Sequence, residues 1–480
     1  MIFNTPVFLF LFLPVALALF FFVPRKYKTV FLVLASIAFY TWGEGELIIL
    51  LLLSVFFNYI AGLLLERYNN QAAGRFILIA AVLLNIGGLV FYKYTGFLAE
   101  NLNIILSALD IPAITINPIY FPLGISFFTF QALSYLYDVY REVAPAEHNP
   151  VKAALYMTFF PKLISGPIIR YSDMKEQMDA GIQVSTTDVY EGLKRFITGL
   201  AKKVIIADNL ALYANQVFSE TTNELSAVSV WAGIVVYGLQ MYYDFSGYTD
   251  MAIGAGRMFG FRLPENFNFP YAASSVTDFW RRWHMSLSFW FRDYFYTPVS
   301  LILARKWNAQ TSIGISVFLA FVTIGLWHGA AWKFVVFGLI HATFIMWEMT
   351  RGNKYISRLW KPLQHFYAIA VILISTVFFR ANDLTHAFAY LKQMFAGGFA
   401  AGQYNITMLP LTLVITVGGF ILAMPWTLPA EKYLLRTSEK NSIFRMGYHS
   451  VLTVFLYLLL LVSLVFVAAS GFSPFIYFQF

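Results

Sequence analysis

The sequence predicts an all-α integral membrane protein that crosses the bilayer about ten to twelve times. Hydrophobic residues make up 59% of its 480 residues and charged residues only 12%, whereas soluble domains carry about 25% charged residues. Aromatic residues, at 19%, are typical of surfaces that face lipid and its interface. Because no polar stretch is long enough for a soluble domain, we expect residues 1–480 to form a single membrane-embedded domain.

The apolar runs that predict the crossings occur throughout the chain, and a bilayer core of about 30 Å needs about 20 helical residues. They fall near residues 7–23, 29–43, 46–65, 76–95, 118–138, 151–168, 227–246, 312–333, 334–349, 364–380, 406–426 and 450–470. Pro161, Gly166 and Pro167 interrupt one run, which predicts broken or re-entrant helices around a central channel. The alternative is a simple kink in one helix. Residues 189–218 are amphipathic and are predicted to lie on the membrane surface.

Basic residues cluster in particular loops and predict the orientation of the chain in a plasma (inner) membrane. The connection at residues 42–46 has no Lys or Arg, whereas most loop Lys and Arg fall at residues 25–28, 66–75, 140–152, 351–361 and 431–445. Placing those loops in the cytoplasm leaves the N-terminus and the C-terminal tail both extracytoplasmic. The net charge of +8 then reflects membrane orientation, so we expect contact with membrane lipids and no nucleic-acid partner.

Several kinds of chemistry are excluded by what the sequence lacks. The chain has no cysteine, which excludes disulfides, thiolate nucleophiles and zinc–thiolate sites. No G-x-S-x-G motif marks a serine nucleophile. His328 and His341 lie 13 positions apart with no H-E-x-x-H pattern, so we expect no metal site. We also expect no permanently bound cofactor.

His328 is the leading candidate for a catalytic residue, because a histidine is costly to keep inside an apolar helix. Gly325 and Gly329 flank it, and small residues let another backbone or a narrow substrate approach closely. Trp327 is placed to wall a cavity. A neutral imidazole accepts a proton, as a general base must when it activates a hydroxyl towards an acyl group. The alternative is a histidine that packs between helices and bonds to a backbone carbonyl.

A basic and aromatic block at residues 279–296 is a second candidate region. It contains Arg281, Arg282 and His284, and arginine pairs with phosphate through its fork of donors. This composition predicts a site for a phosphorylated donor such as coenzyme A. The alternative is an anchor of basic residues at the membrane surface.

Two further sets of polar residues lie in apolar surroundings. His341 follows a glycine-containing apolar stretch, and its role stays open between binding, catalysis and packing. Asp244 and Asp250 end an apolar run. They predict either a polar cavity or a structural salt bridge, of which we favour the salt bridge.

Taken together, the motifs resemble the membrane-bound O-acyltransferase superfamily, and most closely its bacterial alginate O-acetyltransferase branch. The resemblance runs through most of the chain, and the set is more specific than any one member. It comprises FPLGISF at 121–127, residues 134–141 with their DVYR ending, YDFSGY at 243–248, ENFN at 265–268, residues 279–288, and GLWHGAAW at 325–332 followed by His341.

The resemblance implies acyl transfer across the membrane, with His328 as the catalytic histidine. An acyl thioester, expected to be acetyl-CoA, enters from the cytoplasm and meets this histidine in a channel among the helices. An extracytoplasmic partner of the SGNH-hydrolase type and a polysaccharide acceptor are implied as well. The expected channel or donor-binding residues are His284, His341, Arg281, Arg282, Trp327 and Asn266.

The C-terminal residues 475–480, FIYFQF, are similar to the aromatic C-terminal motif of a small partner peptide in teichoic-acid D-alanylation. This similarity predicts that the Tyr477 hydroxyl relays the acyl group to an external partner as a covalent nucleophile. The alternative is an aromatic tail that anchors at the lipid interface.

Two other functions compete with this interpretation. A transporter or flippase for a polymer or lipid-linked sugar predicts paired halves with broken helices at matching positions, and no such symmetry is evident in the sequence. A relative within the superfamily that acylates teichoic acid, lipid or protein shares His328 and differs only in its acceptor.

Overall fold

The computed structural model describes residues 2–69, 71–220, 222–396, 405–440, 442–469 and 475. These described residues form helices and no strand, which confirms the all-α prediction. By length and composition, the described helices that suffice to cross a membrane are Arg25–Tyr68, Ala72–Ala108, Ala309–His328, Trp332–Ile356, Lys361–Arg380 and Ile443–Ala469. Two shorter apolar helices, Phe8–Phe22 and Pro410–Leu422, accompany them. The protein is therefore polytopic, and the number of ten to twelve crossings stays a prediction.

The chain divides into two compact units. That residues 1–480 form a single membrane-embedded domain stays a prediction. The first unit comprises Met1–Phe196 and Met251–Pro264, and the second comprises Ile197–Asp250 and Glu265–Phe480. The helices in the first part of the chain are α1 (Leu13–Phe22), α2 (Lys28–Glu44), α3 (Ile48–Tyr68), α4 (Ala72–Ala108), α5 (Ile125–Tyr140), α6 (Pro150–Thr158), α7 (Phe160–Leu163), α8 (Tyr171–Ala180) and α9 (Thr186–Ala201).

The helices in the later part of the chain include those that carry His328 and His341. They are α10 (Asp208–Ser219), α11 (Ala227–Met258), α12 (Val276–Trp280), α13 (Met285–Phe291), α14 (Thr297–Leu303), α15 (Ala309–His328), α16 (Trp332–Trp347), α17 (Asn353–Ile356), α18 (Lys361–Arg380), α19 (Leu384–Ala396), α20 (Pro410–Leu422), α21 (Leu428–Lys440) and α22 (Ser442–Ala469). Each predicted apolar run overlaps a helix, since a spanning helix needs an unbroken apolar sequence.

The predicted interruption of one apolar run is confirmed in the first unit. Helix α6 ends at Thr158, and Phe159 adopts φ −50° and ψ 108° before α7 begins. Pro161 then occupies the first turn of α7, where its missing N–H removes no helical hydrogen bond. The Phe160 N–H donates instead to the Ser36 hydroxyl of α2, at 3.0 Å. The break is thus stabilised by a side chain from another helix.

Helix α5 begins later than its apolar run predicts. The run starts near residue 118, but the helix starts at Ile125, because Gly124 adopts a left-handed conformation with φ 81°. A Cβ at that position would lie 2.9 Å from the Leu163 carbonyl oxygen. The position therefore needs glycine for its backbone angle and for this close contact.

The two ends of α5 contact different loops of the first unit. At its C-terminal end, the Asn69 amide donates to Glu142 at 2.7 Å, and the Ala146 N–H donates to Glu66 at 2.9 Å. These contacts join the two loops at residues 66–75 and 140–152. At the other end, the Leu123 N–H donates to Glu44 at 3.0 Å. The two basic loops therefore lie together, away from the connection at residues 42–46.

In the second unit, α15 and α16 form a closely packed helical hairpin joined by residues 329–331. A Cβ added to Gly325 would lie 2.3 Å from the Phe334 carbonyl oxygen, and one added to Gly338 would lie 2.3 Å from that of Phe321. The glycines therefore bring two backbones into contact. For Gly325, the neighbouring group is a backbone, which is one of the two approaches that its sequence predicted.

Asp244 and Asp250 of α11 form ion pairs with two consecutive lysines. Lys203 lies between Asp244 at 2.8 Å and Asp208 at 2.7 Å, and Lys202 lies 2.7 Å from Asp250. The favoured interpretation of these aspartates as structural salt bridges agrees with these contacts. Lys203 is buried, unlike a lysine on the polar face of an interfacial helix. The surface location predicted for residues 189–218 stays a prediction.

Candidate active site

His328 is the last residue of α15 and lies in an aromatic enclosure. Its side chain is largely buried, with 6% relative exposure. Its ring centroid lies 4.9 Å from that of Trp327, 5.1 Å from that of Phe379 and 5.7 Å from that of Phe337. The rings come from α15, α16 and α18, so the enclosure forms only when these three helices pack together.

His341 also contacts the Phe337 ring, at 4.6 Å between centroids. The Trp280 indole N–H donates to its Nδ1 atom at 3.1 Å. Since that nitrogen accepts, the proton of a neutral His341 belongs on Nε2. His341 is thus held in one tautomer, and the structure brings it together with His328 around a shared ring.

His284 completes the group of buried histidines and is held by Asn266. Its Nδ1 atom lies 3.0 Å from the Asn266 side-chain oxygen. That oxygen also accepts from the Ser286 N–H at 3.2 Å and the Ser286 hydroxyl at 2.9 Å. The His284 ring lies 6.1 Å from that of Trp327. Asn266 therefore fixes His284 beside the Trp-His pair rather than lining an open surface.

The backbone of His284 is strained as well as buried. It adopts φ 43° and ψ 52°, in the left-handed region, which costs a non-glycine residue about 1–3 kcal/mol. His284 lies outside the candidate membrane spans and is completely buried. Its burial lowers its pKa to about 3, because a buried imidazolium loses its hydration. His284 is therefore neutral at physiological pH.

Phe475, near the C-terminus, packs into the same aromatic group. It is buried and stacks on Tyr248 with centroids 4.6 Å apart. It also lies 5.6 Å from Phe245, whose ring meets that of His284 edge-on at 4.7 Å. Tyr477, the predicted relay residue, lies outside the described residues.

The two predicted phosphate-binding arginines differ in their surroundings. Arg281 is exposed. Arg282 pairs with Asp278 one helical turn away at 2.9 Å and donates to the Asn268 carbonyl at 3.5 Å. Arg282 therefore has structural partners, and donor binding by either arginine stays a prediction.

Glu348 is a structural residue of this region that the sequence interpretation missed. It is buried at the end of α16 and accepts from the N–H groups of Val276 and Thr277 at 2.7 and 2.8 Å, and from the Tyr367 hydroxyl at 2.9 Å. Its carboxylate thus caps the N-terminus of α12, which carries Trp280. The sequence signal that could have identified Glu348 is its position as an acidic residue at the end of an apolar run.

Comparison with known proteins agrees with this arrangement of motifs. The model of the membrane-bound O-acyltransferase family matches residues 92–382. The chain is 35% identical to a "Probable alginate O-acetylase" of Azotobacter vinelandii over the whole of both chains. It is 36% identical to the peptidoglycan O-acetyltransferase of Helicobacter pylori, with 82% of this chain and 80% of that protein covered. It is 34% identical to the teichoic acid D-alanyltransferase of Bacillus subtilis, covering 53% and 65%. The chain therefore belongs to the membrane-bound O-acyltransferase family.

Proposed function

We propose that this membrane O-acyltransferase moves an acetyl group from a cytoplasmic thioester, acetyl-CoA, through the His328 site to hydroxyls of an extracytoplasmic polysaccharide or cell-wall glycan. The observation that carries the proposal is the convergence of three buried histidines on one aromatic group, in which His328 and His341 both contact Phe337 and His284 lies next to Trp327.

In the proposed step, His328 acts as a general base. Its unprotonated nitrogen takes the proton of the attacking hydroxyl while the hydroxyl oxygen bonds to the thioester carbonyl carbon. The carbon–sulfur bond then breaks, and the leaving thiolate takes the proton from the imidazolium. The products are an ester and a free thiol, and His328 returns to its starting form. General-base catalysis of this kind contributes about 10²–10⁴-fold in rate.

The surrounding residues support this role in different ways. Trp327 and Phe379 shield the reacting atoms from water, which would otherwise hydrolyse the thioester. His341, with its proton on Nε2, offers a hydrogen-bond donor to the oxyanion that forms at the carbonyl. His284 and Asn266 hold Trp327 in place and are positioning residues.

We further propose that Tyr477 receives the acyl group first and passes it to a partner of the SGNH-hydrolase type. The packing of Phe475 against Tyr248 and Phe245 supports this relay, because Tyr477 follows Phe475 by two positions in the sequence. With the basic loops in the cytoplasm, both termini are extracytoplasmic, where an external partner can accept the group.

The proposed function is tested by transfer of radiolabelled acetyl from acetyl-CoA in membrane vesicles. His328→Ala is expected to lose at least about 10²-fold in rate, the scale of one general base. His449→Ala is the matched control, since His449 is an exposed histidine. Equal labelling by wild type and His328→Ala, at matched expression and thermal stability, would overturn the role of His328.

The relay is tested separately with Tyr477→Phe, which keeps the ring and removes the hydroxyl. We expect this variant to lose acetylation of the polymer while still binding labelled acetyl-CoA, because the donor site is unchanged. An acetyl ester on the wild-type tyrosine, detected by mass spectrometry and absent from the variant, is the direct signature. Full polymer acetylation by Tyr477→Phe would rule the relay out.

A second acceptor is favoured by one finding, the similarity to the teichoic acid D-alanyltransferase. A carrier-protein thioester and a D-alanyl group are then the donor and the acyl group. Supplying vesicles with labelled acetyl-CoA or with a labelled D-alanyl carrier protein separates the two, since only the correct donor gives His328-dependent product.

A further inference from the structure

A polar cavity lies in the first unit, between the two basic loops at residues 66–75 and 140–152. Its volume is about 580 Å³, within the range of about 300–1,000 Å³ that is typical of ligand sites. Its lining comes from the connection between α3 and α4 and from the end of α5, and includes Asn69, Gln71, Arg75, Tyr140, Arg141 and Glu142. The cavity therefore forms only when these three helices pack together.

The described lining residues of this cavity are net positive. Arg75 of α4 and Arg141, which follows α5, are both exposed, and neither forms an ion pair within the part of the chain that the structure describes. Glu142 is the acid among the described lining residues, and its carboxylate accepts from the Asn69 amide at 2.7 Å. The two guanidinium forks are therefore available for an anion, and their planar geometry matches that of a phosphate.

The start of α4 adds to the attraction for an anion. This helix has 37 residues, and Gln71, which precedes it in an extended conformation, makes no side-chain capping hydrogen bond to its first turn. The N–H groups at the start of a helix carry a partial positive charge and bind anions. They supplement the two arginines, on which the inference rests.

An exposed apolar face of α4 leads away from the cavity. Ala72 lines the cavity, and Phe76, Ile79 and Leu83 follow it at helical spacing on the same face. These three side chains are 73%, 51% and 63% exposed, and α4 is one of the candidate membrane spans. The combination fits a phosphate that carries acyl chains, with its headgroup in the cavity and its chains along α4.

We propose that Arg75 and Arg141 form a phosphate-binding site, whose ligand is the headgroup of an anionic phospholipid. A soluble phosphate ester presents the same chemistry to the two arginines, and the apolar face of α4 favours the lipid. With the basic loops in the cytoplasm, the cavity faces the cytoplasmic leaflet, where basic pockets between spanning helices bind acidic headgroups. This inference goes beyond the proposed function and does not depend on His328.

The proposal is tested with the full-length protein in an uncharged detergent. Native mass spectrometry measures the binding of phosphatidylglycerol and of phosphatidylcholine with the same acyl chains, and a thermal-shift assay measures the melting temperature with each lipid. Inorganic phosphate and coenzyme A are the soluble phosphate probes. We expect phosphatidylglycerol to bind more tightly than phosphatidylcholine and to raise the melting temperature, because a ligand that binds only the folded state stabilises it.

The variants Arg75→Gln and Arg141→Gln are each expected to weaken phosphatidylglycerol binding by about tenfold or more, since charge-assisted hydrogen bonds are the strong ones. Their melting temperatures without lipid are expected to match that of wild type, because both side chains are exposed. Arg67→Gln is the matched control. Arg67 is an exposed arginine of the same basic loop, with its guanidinium over the Tyr68 ring at 5.5 Å, and its loss is expected to leave binding unchanged.

The outcomes identify the ligand or overturn the site. Equal binding of both lipids, with no binding of the soluble probes that depends on Arg75 and Arg141, overturns the site. An equal loss of phosphatidylglycerol binding in all three arginine variants also overturns it, because general surface charge then accounts for the binding. Binding of a soluble probe that depends on Arg75 and Arg141, with no preference between the lipids, retains the phosphate site and assigns it a soluble ligand.

The same preparations separate this inference from the proposed function. His328→Ala is expected to bind phosphatidylglycerol as wild type does, so loss of acetyl transfer in that variant leaves the phosphate site standing. Conversely, a wild-type protein that transfers acetyl but shows no binding that depends on Arg75 and Arg141 retains the proposed function and loses the phosphate site.

Discussion

At the scale of single residues, Asn266 stabilises the surroundings of His284, because its one side-chain oxygen accepts hydrogen bonds from three donors. Asn266→Ala leaves the buried His284 and Ser286 donors without an acceptor. Each unsatisfied buried group costs about 1–3 kcal/mol. We expect a lower melting temperature together with slower acetyl transfer, because His284 and Trp327 lose their positions.

The control for this prediction is Asn268→Ala in the same ENFN motif. The Asn268 side chain is exposed, and its contacts to Arg282 use backbone atoms, which alanine retains. Scanning calorimetry or a thermal-shift assay of the detergent-solubilised proteins compares the two. An Asn266→Ala variant as stable and active as Asn268→Ala would contradict the role of Asn266.

Single residues also mark the limit of what sequence predicts. The motif containing His328 predicted its contact with Trp327, because these two residues are consecutive in the sequence. Phe337 and Phe379 belong to other helices, and no local sequence pattern predicts their contacts with His328. The left-handed backbone of His284 was equally hidden, since histidine adopts that conformation rarely.

At the scale of secondary-structure elements, the α15–α16 hairpin depends on direct backbone contact. We predict that Gly325→Ala destabilises the protein by several kcal/mol and abolishes transfer, because the new methyl group would lie 2.3 Å from the Phe334 carbonyl oxygen. Rigid backbone cannot withdraw as a flexible side chain can, so the helices must separate.

Gly314 on the same helix provides the matched control. A Cβ there meets only the Met346 sulfur, at 4.0 Å, which is ordinary contact. Gly314→Ala is expected to be neutral or to stabilise α15 by up to about 1 kcal/mol through its higher helix propensity. If the melting temperatures of the two variants moved together, the close contact would not be the cause.

The helices themselves were largely predictable, because an apolar run of sufficient length has few alternatives in a membrane. Pro161 and its neighbours predicted the break near Phe159 for a similarly local reason. Helix ends were less predictable where a single backbone conformation decides them, as at Gly124. The pairing of Lys203 with Asp244 joins residues far apart in sequence, and only folding reveals it.

At the scale of the whole molecule, the orientation in the membrane is the prediction with the widest consequences. The chain contains no cysteine, so a single introduced cysteine reports its own side without background. We predict that Glu46→Cys reacts with a membrane-impermeant maleimide in intact cells, because the connection at residues 42–46 carries no Lys or Arg. Arg351→Cys is expected to react only after the membrane is opened.

Both substituted positions are exposed in the structure, and a membrane-permeant maleimide provides the control that each thiol is reactive. Labelling of Arg351→Cys but not of Glu46→Cys in intact cells would show that the chain has the opposite orientation. The proximity of the two basic loops in the first unit already favours a common side for both.

The contact between Gly325 and Gly338 has a further consequence for how the enzyme cycles. With two backbones touching, the hairpin that carries His328 has no room to slide or rotate, and close-packed protein is little compressible. We therefore expect His328 to keep its position during turnover while the substrates diffuse to it. For the same reason, we expect the amide hydrogens at this helix crossing to be among the last to exchange with deuterium.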